Sequence, residues 1–230
     1  MSPVWQLTAL ISTALLLLDI GQLQRRSYFK TYPFLTLYLL AQLLVTVAQW
    51  GQLMSLYSIS AAGYKQLYWT TEFATLFLLM TVMISFIYKA MEGTEHRGRT
   101  LVLVALVVIA SGGVTAMTAG TSVIGSNRFS SLLARNLSFG SALLNVFLWQ
   151  SLLKNRRNDI QLLLLSLGAG LWTTGRAIGQ SLRLLSTSSQ TVGDGILVLA
   201  EMLCLLIWFW ALSRFRVAQP AASVQPTTPA

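Results

Sequence analysis

Cysteine and histidine are nearly absent from this chain, which has one of each, Cys204 and His96. A single cysteine forms no intrachain disulfide, and a single histidine excludes bis-histidine haem and multi-histidine metal sites within one chain. His96 lies in the charged segment KAMEGTEHRGRT, so a serine–histidine protease centre inside a membrane span is excluded as well. The four lysines all lie in predicted loops or at helix ends, which excludes a retinal Schiff base. The sequence therefore predicts a non-enzymatic protein with no cofactor.

Charged residues are also scarce, at 10% of the chain against about 25% in soluble domains. Hydrophobic residues make up 54%, and the mean hydropathy is +0.63. The lipid bilayer is therefore the expected partner of most of the surface. The net charge of +9 does not indicate nucleic acid binding, because the basic residues are divided among short loops and form no single basic face.

The sequence is dominated by long runs of apolar residues. A transmembrane helix needs about 20 mostly apolar residues, and seven segments qualify. We predict an all-α membrane protein, a bundle of seven transmembrane helices within residues 1–216, followed by a disordered Pro-, Ala- and Thr-rich tail at 217–230. The predicted spans are 4–23, 34–57, 66–89, 100–119, 129–152, 160–184 and 191–213.

The loops between these spans alternate in charge. Eleven basic residues fall on one side of the predicted membrane and three, namely Lys65, Arg128 and Arg183, on the other. Because positively charged loops remain in the cytoplasm, this asymmetry predicts an N-terminus outside and a C-terminus in the cytoplasm. The expected location is a multi-pass position in a bacterial-type cytoplasmic (inner) membrane.

Five ionisable residues fall inside the predicted spans, where charge is expensive and usually faces the bundle interior or water. The rise of about 1.5 Å per helical residue places Glu72, Arg135, Arg176 and Glu201 in one layer of the outer half. Asp19 lies near the cytoplasmic end of the first span, where we expect it to reach water.

Other polar and aromatic residues share helix faces with this layer. Gln42, Thr46 and Gln49 lie on one face of the second span. If all these faces point inward, they form a ligand-binding pocket open to the outside, lined by Glu72, Arg135, Arg176, Glu201, Gln49, Tyr68, Trp172 and Gln180. A purely structural charge network, in which the arginines and carboxylates only satisfy one another, is the simplest interpretation of these charges. The ligand pocket is the functional interpretation, and a charge relay for ion or proton movement is a third.

Small and aromatic residues indicate how the helices pack. Gly175 and Gly179 form a GxxxG pattern, which predicts close helix packing within the chain, with a homodimer seam as the alternative. Tyr28, Phe29 and Tyr32 lie where a cytoplasmic interfacial aromatic belt is expected.

Three stretches carry a resemblance: YFKTYPFLTLYLLAQLL, YKQLYWTTEFATLF and LLARNLSFGSALL. In these the chain resembles small bacterial seven-helix membrane proteins and, more distantly, the seven-helix input region of sensor histidine kinases. The resemblance implies a module with its N-terminus outside that senses a signal in the membrane or periplasm. No kinase or cyclase domain follows the seventh predicted span, so a signal would have to pass to a separate protein partner.

The leading hypothesis is therefore a membrane sensor or regulatory module. A small-molecule ligand would occupy the charged pocket, and the cytoplasmic loops would engage a cytoplasmic or membrane partner. The alternatives are a transporter or permease subunit and a structural or assembly subunit of a membrane complex. The odd helix count and the lack of a visible inverted repeat count against transport.

Overall fold

The structure is a computed structural model. It describes residues 3–26, 28–53, 61–91, 127–154, 159–185 and 187–214, with isolated residues between 102 and 113. Within these ranges the chain forms six helices and no strand, which confirms the all-helical prediction. The helices are α1 (Pro3–Arg25), α2 (Pro33–Leu53), α3 (Ala61–Ala90), α4 (Asn127–Lys154), α5 (Ile160–Leu185) and α6 (Thr187–Arg214).

Local sequence explains where several helices begin. Pro3 and Pro33 occupy the first positions of α1 and α2, where a missing N–H costs little and the fixed φ suits a helix. At the start of α5, the Asp159 carboxylate accepts a hydrogen bond from the Leu162 amide at 3.0 Å, as an N-cap does. The sequence predicted a loop between spans ending at 184 and beginning at 191. In the structure, α5 continues to Leu185 and α6 begins at Thr187.

Five helices are long and apolar enough to cross a membrane, through Leu7–Arg25, Lys65–Ala90, Phe129–Leu153, Ile160–Arg183 and Ser189–Arg214. Pro33–Ala48 is a shorter apolar helix. These lengths indicate a multi-pass membrane protein. The fourth predicted span, 100–119, lies outside the described residues except for isolated helical positions such as Val102 and Leu106, and the predicted tail at 217–230 lies outside them entirely.

The six helices form a ring of neighbours. Contacts join each helix to the next in sequence from α1 to α3, then α3 to α4, α4 to α5 and α5 to α6, and α6 returns to α1. The guanidinium of Arg26, just after α1, donates to the backbone carbonyl of Ser213 near the end of α6. The opposite end of the bundle holds the α5–α6 turn. We call these the Arg26 end and the turn end.

The outer surface of the bundle is apolar, unlike that of a soluble bundle, and the core is largely apolar as well. Large apolar side chains point outward, including Leu44, Leu143 and Val146, which are 71%, 62% and 59% exposed. Polar side chains such as Ser138 and Ser141 are buried and donate to helix carbonyls four residues earlier, which keeps their hydroxyls satisfied. A surface of this kind matches lipid, and the polar groups gather inside.

Glycines allow α5 and α6 to lie unusually close. A Cβ on Gly175 would overlap the Cβ of Ala200, and a Cβ on Gly179 would lie 2.9 Å from the Gly193 carbonyl oxygen. Gly193 in turn faces the backbone of Gly179. The predicted GxxxG contact is therefore confirmed as packing within the chain. It brings the charged residues of the two helices into the same narrow space.

Two expectations about the Arg26 end were wrong. Asp19 does not reach water, since it is 0% exposed and neither of its carboxylate oxygens has a hydrogen-bond partner in the described part of the chain. Of the three predicted belt aromatics, Tyr28 and Tyr32 are buried and only Phe29 is exposed, and the Lys89 ammonium lies 3.9 Å from the Tyr32 ring centroid. Burial, and to a lesser degree the negative charge of Asp159, raises the pKa of Tyr32 above its usual range.

Candidate functional site

The deepest charged contact joins α3 to α5. The Arg176 guanidinium donates through Nη2 to Glu72 Oε1, which makes a salt bridge between helices distant in sequence. The two side chains are only 5% and 16% exposed. Their charges compensate each other in an apolar surrounding, where either one alone would be strongly unfavourable.

Glu201 lies on α6 beside this pair. Its Oε1 accepts a hydrogen bond from the Gln42 side-chain amide on α2 at 3.3 Å. Glu201 is close enough to interact electrostatically with both Arg176 and Glu72. Four helices thus contribute one polar side chain each to a connected group, and we call Gln42, Glu72, Arg176 and Glu201 the polar cluster.

Aromatic side chains cover the polar cluster toward the Arg26 end. The Trp172 indole N–H donates to the Tyr38 hydroxyl at 3.0 Å, and the Arg176 guanidinium carbon lies 5.0 Å from the Trp172 ring. Tyr38 also meets Trp208 edge to face, with ring centroids 5.8 Å apart. The Trp208 indole donates to the Leu165 carbonyl at 2.8 Å. These hydrogen bonds fix the rings against which the guanidinium rests.

A second charged contact lies closer to the turn end. Arg183 on α5 forms a salt bridge with Asp194 on α6 at 2.5 Å and lies close enough to Tyr68 on α3 to interact with it electrostatically. The Arg183 and Asp194 side chains are 28% and 29% exposed. This contact is accordingly more open than the polar cluster, with Tyr68 between the two.

The structure brings some of the predicted site residues together and leaves others apart. Glu72, Arg176 and Glu201 come together, Trp172 supports them, and Tyr68 lies between the two charged contacts. Gln180 is buried one turn from Arg176. Arg135 hydrogen-bonds Asn136 at 3.4 Å, and no ion pair joins it to either carboxylate of the polar cluster. The side chain of Gln49 lies outside the described part of the chain.

Two contributors were not among the predicted lining residues. Gln42 belongs to the polar face recognised on the second span, and Tyr38 lies four residues before it, on the same face. Tyr38 is 3% exposed and its hydroxyl is hydrogen-bonded to Trp172. The four-residue spacing from Gln42 was the available signal, but a tyrosine in an apolar run also fits simple core packing.

The hydrogen bonding of the polar cluster is incomplete at one buried atom. Nε of Arg176 has no acceptor among the residues that the structure describes. Glu201 receives a neutral amide, and no cation hydrogen-bonds it within the part of the chain that the structure describes. The guanidinium of the cluster is therefore taken by Glu72, and Glu201 is left with a neutral hydrogen-bond donor.

Such an arrangement can hold a small polar group in place, but it presents no nucleophile activated by a neighbouring base. Across the described ranges, no three histidine, cysteine or carboxylate side chains lie close enough together to hold a metal ion.

Comparison with family models, curated proteins and solved structures finds no match to this chain.

Proposed function

We propose that this chain is a non-enzymatic sensor or regulatory module of the bacterial cytoplasmic membrane. In this proposal it is a seven-helix bundle with its N-terminus outside and its C-terminus in the cytoplasm. A small molecule binds the polar cluster, and the altered packing of α5 and α6 is passed to a separate partner protein at the Arg26 end. A ligand acts in this way when it binds two packings of the bundle unequally.

The observation that carries the proposal is the incomplete hydrogen bonding of the polar cluster. A network serving only to hold helices together would be expected to satisfy its buried groups internally. Among the described residues, the buried Nε of Arg176 lacks an acceptor, and no cation hydrogen-bonds Glu201. A ligand that supplies the missing partners would be held strongly in an apolar surrounding.

The connection between the polar cluster and the Arg26 end supports signalling. Glu201 lies on α6, and the same helix ends at Ser213 and Arg214, where Arg26 binds the Ser213 carbonyl. A shift of α6 along its axis would move both points together, because a helix transmits displacement along its length. The Arg26 contact is therefore the place where a partner would detect the change.

Amide hydrogen exchange on the purified protein tests this proposal. An aqueous metabolite extract is added to the wild type, to Glu201→Gln and to a matched control, Asp194→Asn, which alters a carboxylate on the same helix outside the polar cluster. We expect the extract to change exchange around Arg26 and Ser213 in the wild type and the control but not in Glu201→Gln. If no extract changed exchange at the Arg26 end, the sensor proposal would be lost.

A structural subunit is the second candidate, and the closed Arg176–Glu72 salt bridge favours it. In that case Arg176→Ala changes stability alone, and the protein co-purifies with other subunits whether or not metabolites are present. Uptake by vesicles containing the purified protein would instead indicate a transporter.

A further inference from the structure

From the hydrogen bonding of Glu201 and Arg176 in the polar cluster, we infer that its ligand is a small ammonium compound that also carries a hydrogen-bond acceptor. The ammonium lies against Glu201, and the acceptor takes the N–H of Arg176 Nε. This inference rests on the proposed function, because it names the ligand class of the same site.

The surroundings of Glu201 favour a cationic ligand over an anionic one. The sequence alone had suggested a site with two arginines, which would suit an anion. Arg135, however, hydrogen-bonds Asn136 and forms no ion pair with Glu72 or Glu201. Arg176 is already hydrogen-bonded to Glu72, whereas Glu201 receives only the neutral amide of Gln42 among the described residues. An anion beside Glu201 would add a second negative charge in an apolar surrounding, which is strongly unfavourable.

The second requirement comes from Arg176. Its Nη2 is used by Glu72, and the plane of the guanidinium rests near Trp172. The Nε–H is buried without an acceptor. A carboxylate, phosphate or hydroxyl oxygen of the ligand would satisfy it, because a guanidinium donates from five N–H groups and accepts none. A ligand bearing both groups would give Arg176 Nε its missing acceptor and Glu201 a cationic partner.

Glu201 is accessible enough to receive such a ligand. It is partly exposed, as is Gln42, whereas Arg176, Trp172 and Tyr38 are buried. The ammonium would therefore replace or join the long 3.3 Å hydrogen bond from Gln42.

Arg176 is nine residues from the end of α5 at Leu185, or about 14 Å along the axis. A soluble amine or the amine headgroup of a phospholipid could supply this chemistry.

Three probes of similar length separate the charges. Binding to the detergent-purified full-length protein is measured by calorimetry for 4-aminobutyrate, butylamine and butyrate. We expect 4-aminobutyrate to bind most tightly and butylamine more weakly. Butyrate should bind at least about tenfold more weakly than 4-aminobutyrate, since one charged hydrogen bond is worth about a factor of ten or more. Equal or tighter binding of butyrate would overturn the inference, as would a failure of all three to bind.

The variants locate the binding. Glu201→Gln should weaken 4-aminobutyrate binding at least about tenfold, whereas Asp194→Asn should retain it. Unchanged binding in Glu201→Gln would place the ligand elsewhere and overturn the inference. If the metabolite extract changes exchange at the Arg26 end while amines do not bind, the sensor proposal stands and the ligand class falls.

A lipid source is distinguished with nanodiscs. Replacing phosphatidylglycerol by phosphatidylethanolamine should leave 4-aminobutyrate binding unchanged if the ligand is soluble. If the headgroup amine is the ligand, phosphatidylethanolamine competes, and the apparent affinity for 4-aminobutyrate falls. Both results support the ammonium class and identify its source.

Discussion

Two arginines on α5 form salt bridges, and their surroundings differ. Arg176 pairs with Glu72 of α3, and these side chains are 5% and 16% exposed, whereas Arg183 and Asp194 are 28% and 29% exposed. The deeper pair joins helices distant in the chain, and the other joins consecutive helices across a short turn. Similar chemistry should therefore have very different energetic consequences, because the cost of an unpaired charge grows as solvent is removed.

The largest effect is expected from breaking the deeper pair on one side only. Arg176→Leu leaves the Glu72 carboxylate buried without its cation, and we expect a loss of about 3–5 kcal/mol in the free energy of unfolding. Unfolding by denaturing detergent in mixed micelles measures this change. A loss below about 1 kcal/mol would show that the pair is effectively solvated and that the contrast with Arg183 does not hold.

A smaller effect is expected from disturbing the close helix contact beside the deeper pair. Gly175→Ala places a methyl group against Ala200, next to Glu201, so α5 and α6 must separate. We expect a loss of about 1–3 kcal/mol in the same unfolding measurement. The matched control is Gly195→Ala, since a Cβ there meets nothing within 4 Å.

The control should leave stability unchanged or raise it by up to about 1 kcal/mol, because alanine favours helix over glycine. Equal losses for the two alanines would indicate a general effect of glycine removal. The close α5–α6 contact would then have no special role in holding the polar cluster.

The smallest effect is expected at the more exposed pair. Arg183→Leu removes the salt bridge to Asp194 and the electrostatic interaction with Tyr68. We expect a loss of at most about 1 kcal/mol, because partly solvated pairs contribute little. The loss should shrink further at high salt. A loss comparable to that of Arg176→Leu would mean that depth in the bundle does not separate the two pairs.

Counting residues along the helices predicted which side chains share a level, but not the direction in which each one points. The count placed Glu72, Arg176 and Glu201 at similar levels, and in the structure Arg176 binds Glu72 with Glu201 nearby. The same count placed Arg135 at that level, yet its hydrogen bonds go to Asn136. The face that a helix turns toward its neighbours depends on packing against the whole bundle, and apolar residues all around a span leave that rotation undetermined.

The same limitation explains the errors at the Arg26 end. The positions of Asp19, Tyr28 and Tyr32 near predicted span ends indicated water or an interface, but all three are buried. Gly175 and Gly179 were a better signal, because only close helix approach favours small residues at that spacing. Small residues specify contact, whereas polar or aromatic residues near a span end fit several surroundings.

Combining Glu72→Leu with Arg176→Leu tests most directly whether these opposite charges meet inside the bundle. The unfolding free energies of the wild type, both single variants and the double variant are measured under identical conditions. We expect the double variant to be clearly more stable than Arg176→Leu alone, because removing both charges leaves no unpaired buried charge. If the two losses simply added, within about 0.5 kcal/mol, Glu72 and Arg176 would not interact, and the account of the polar cluster would be wrong.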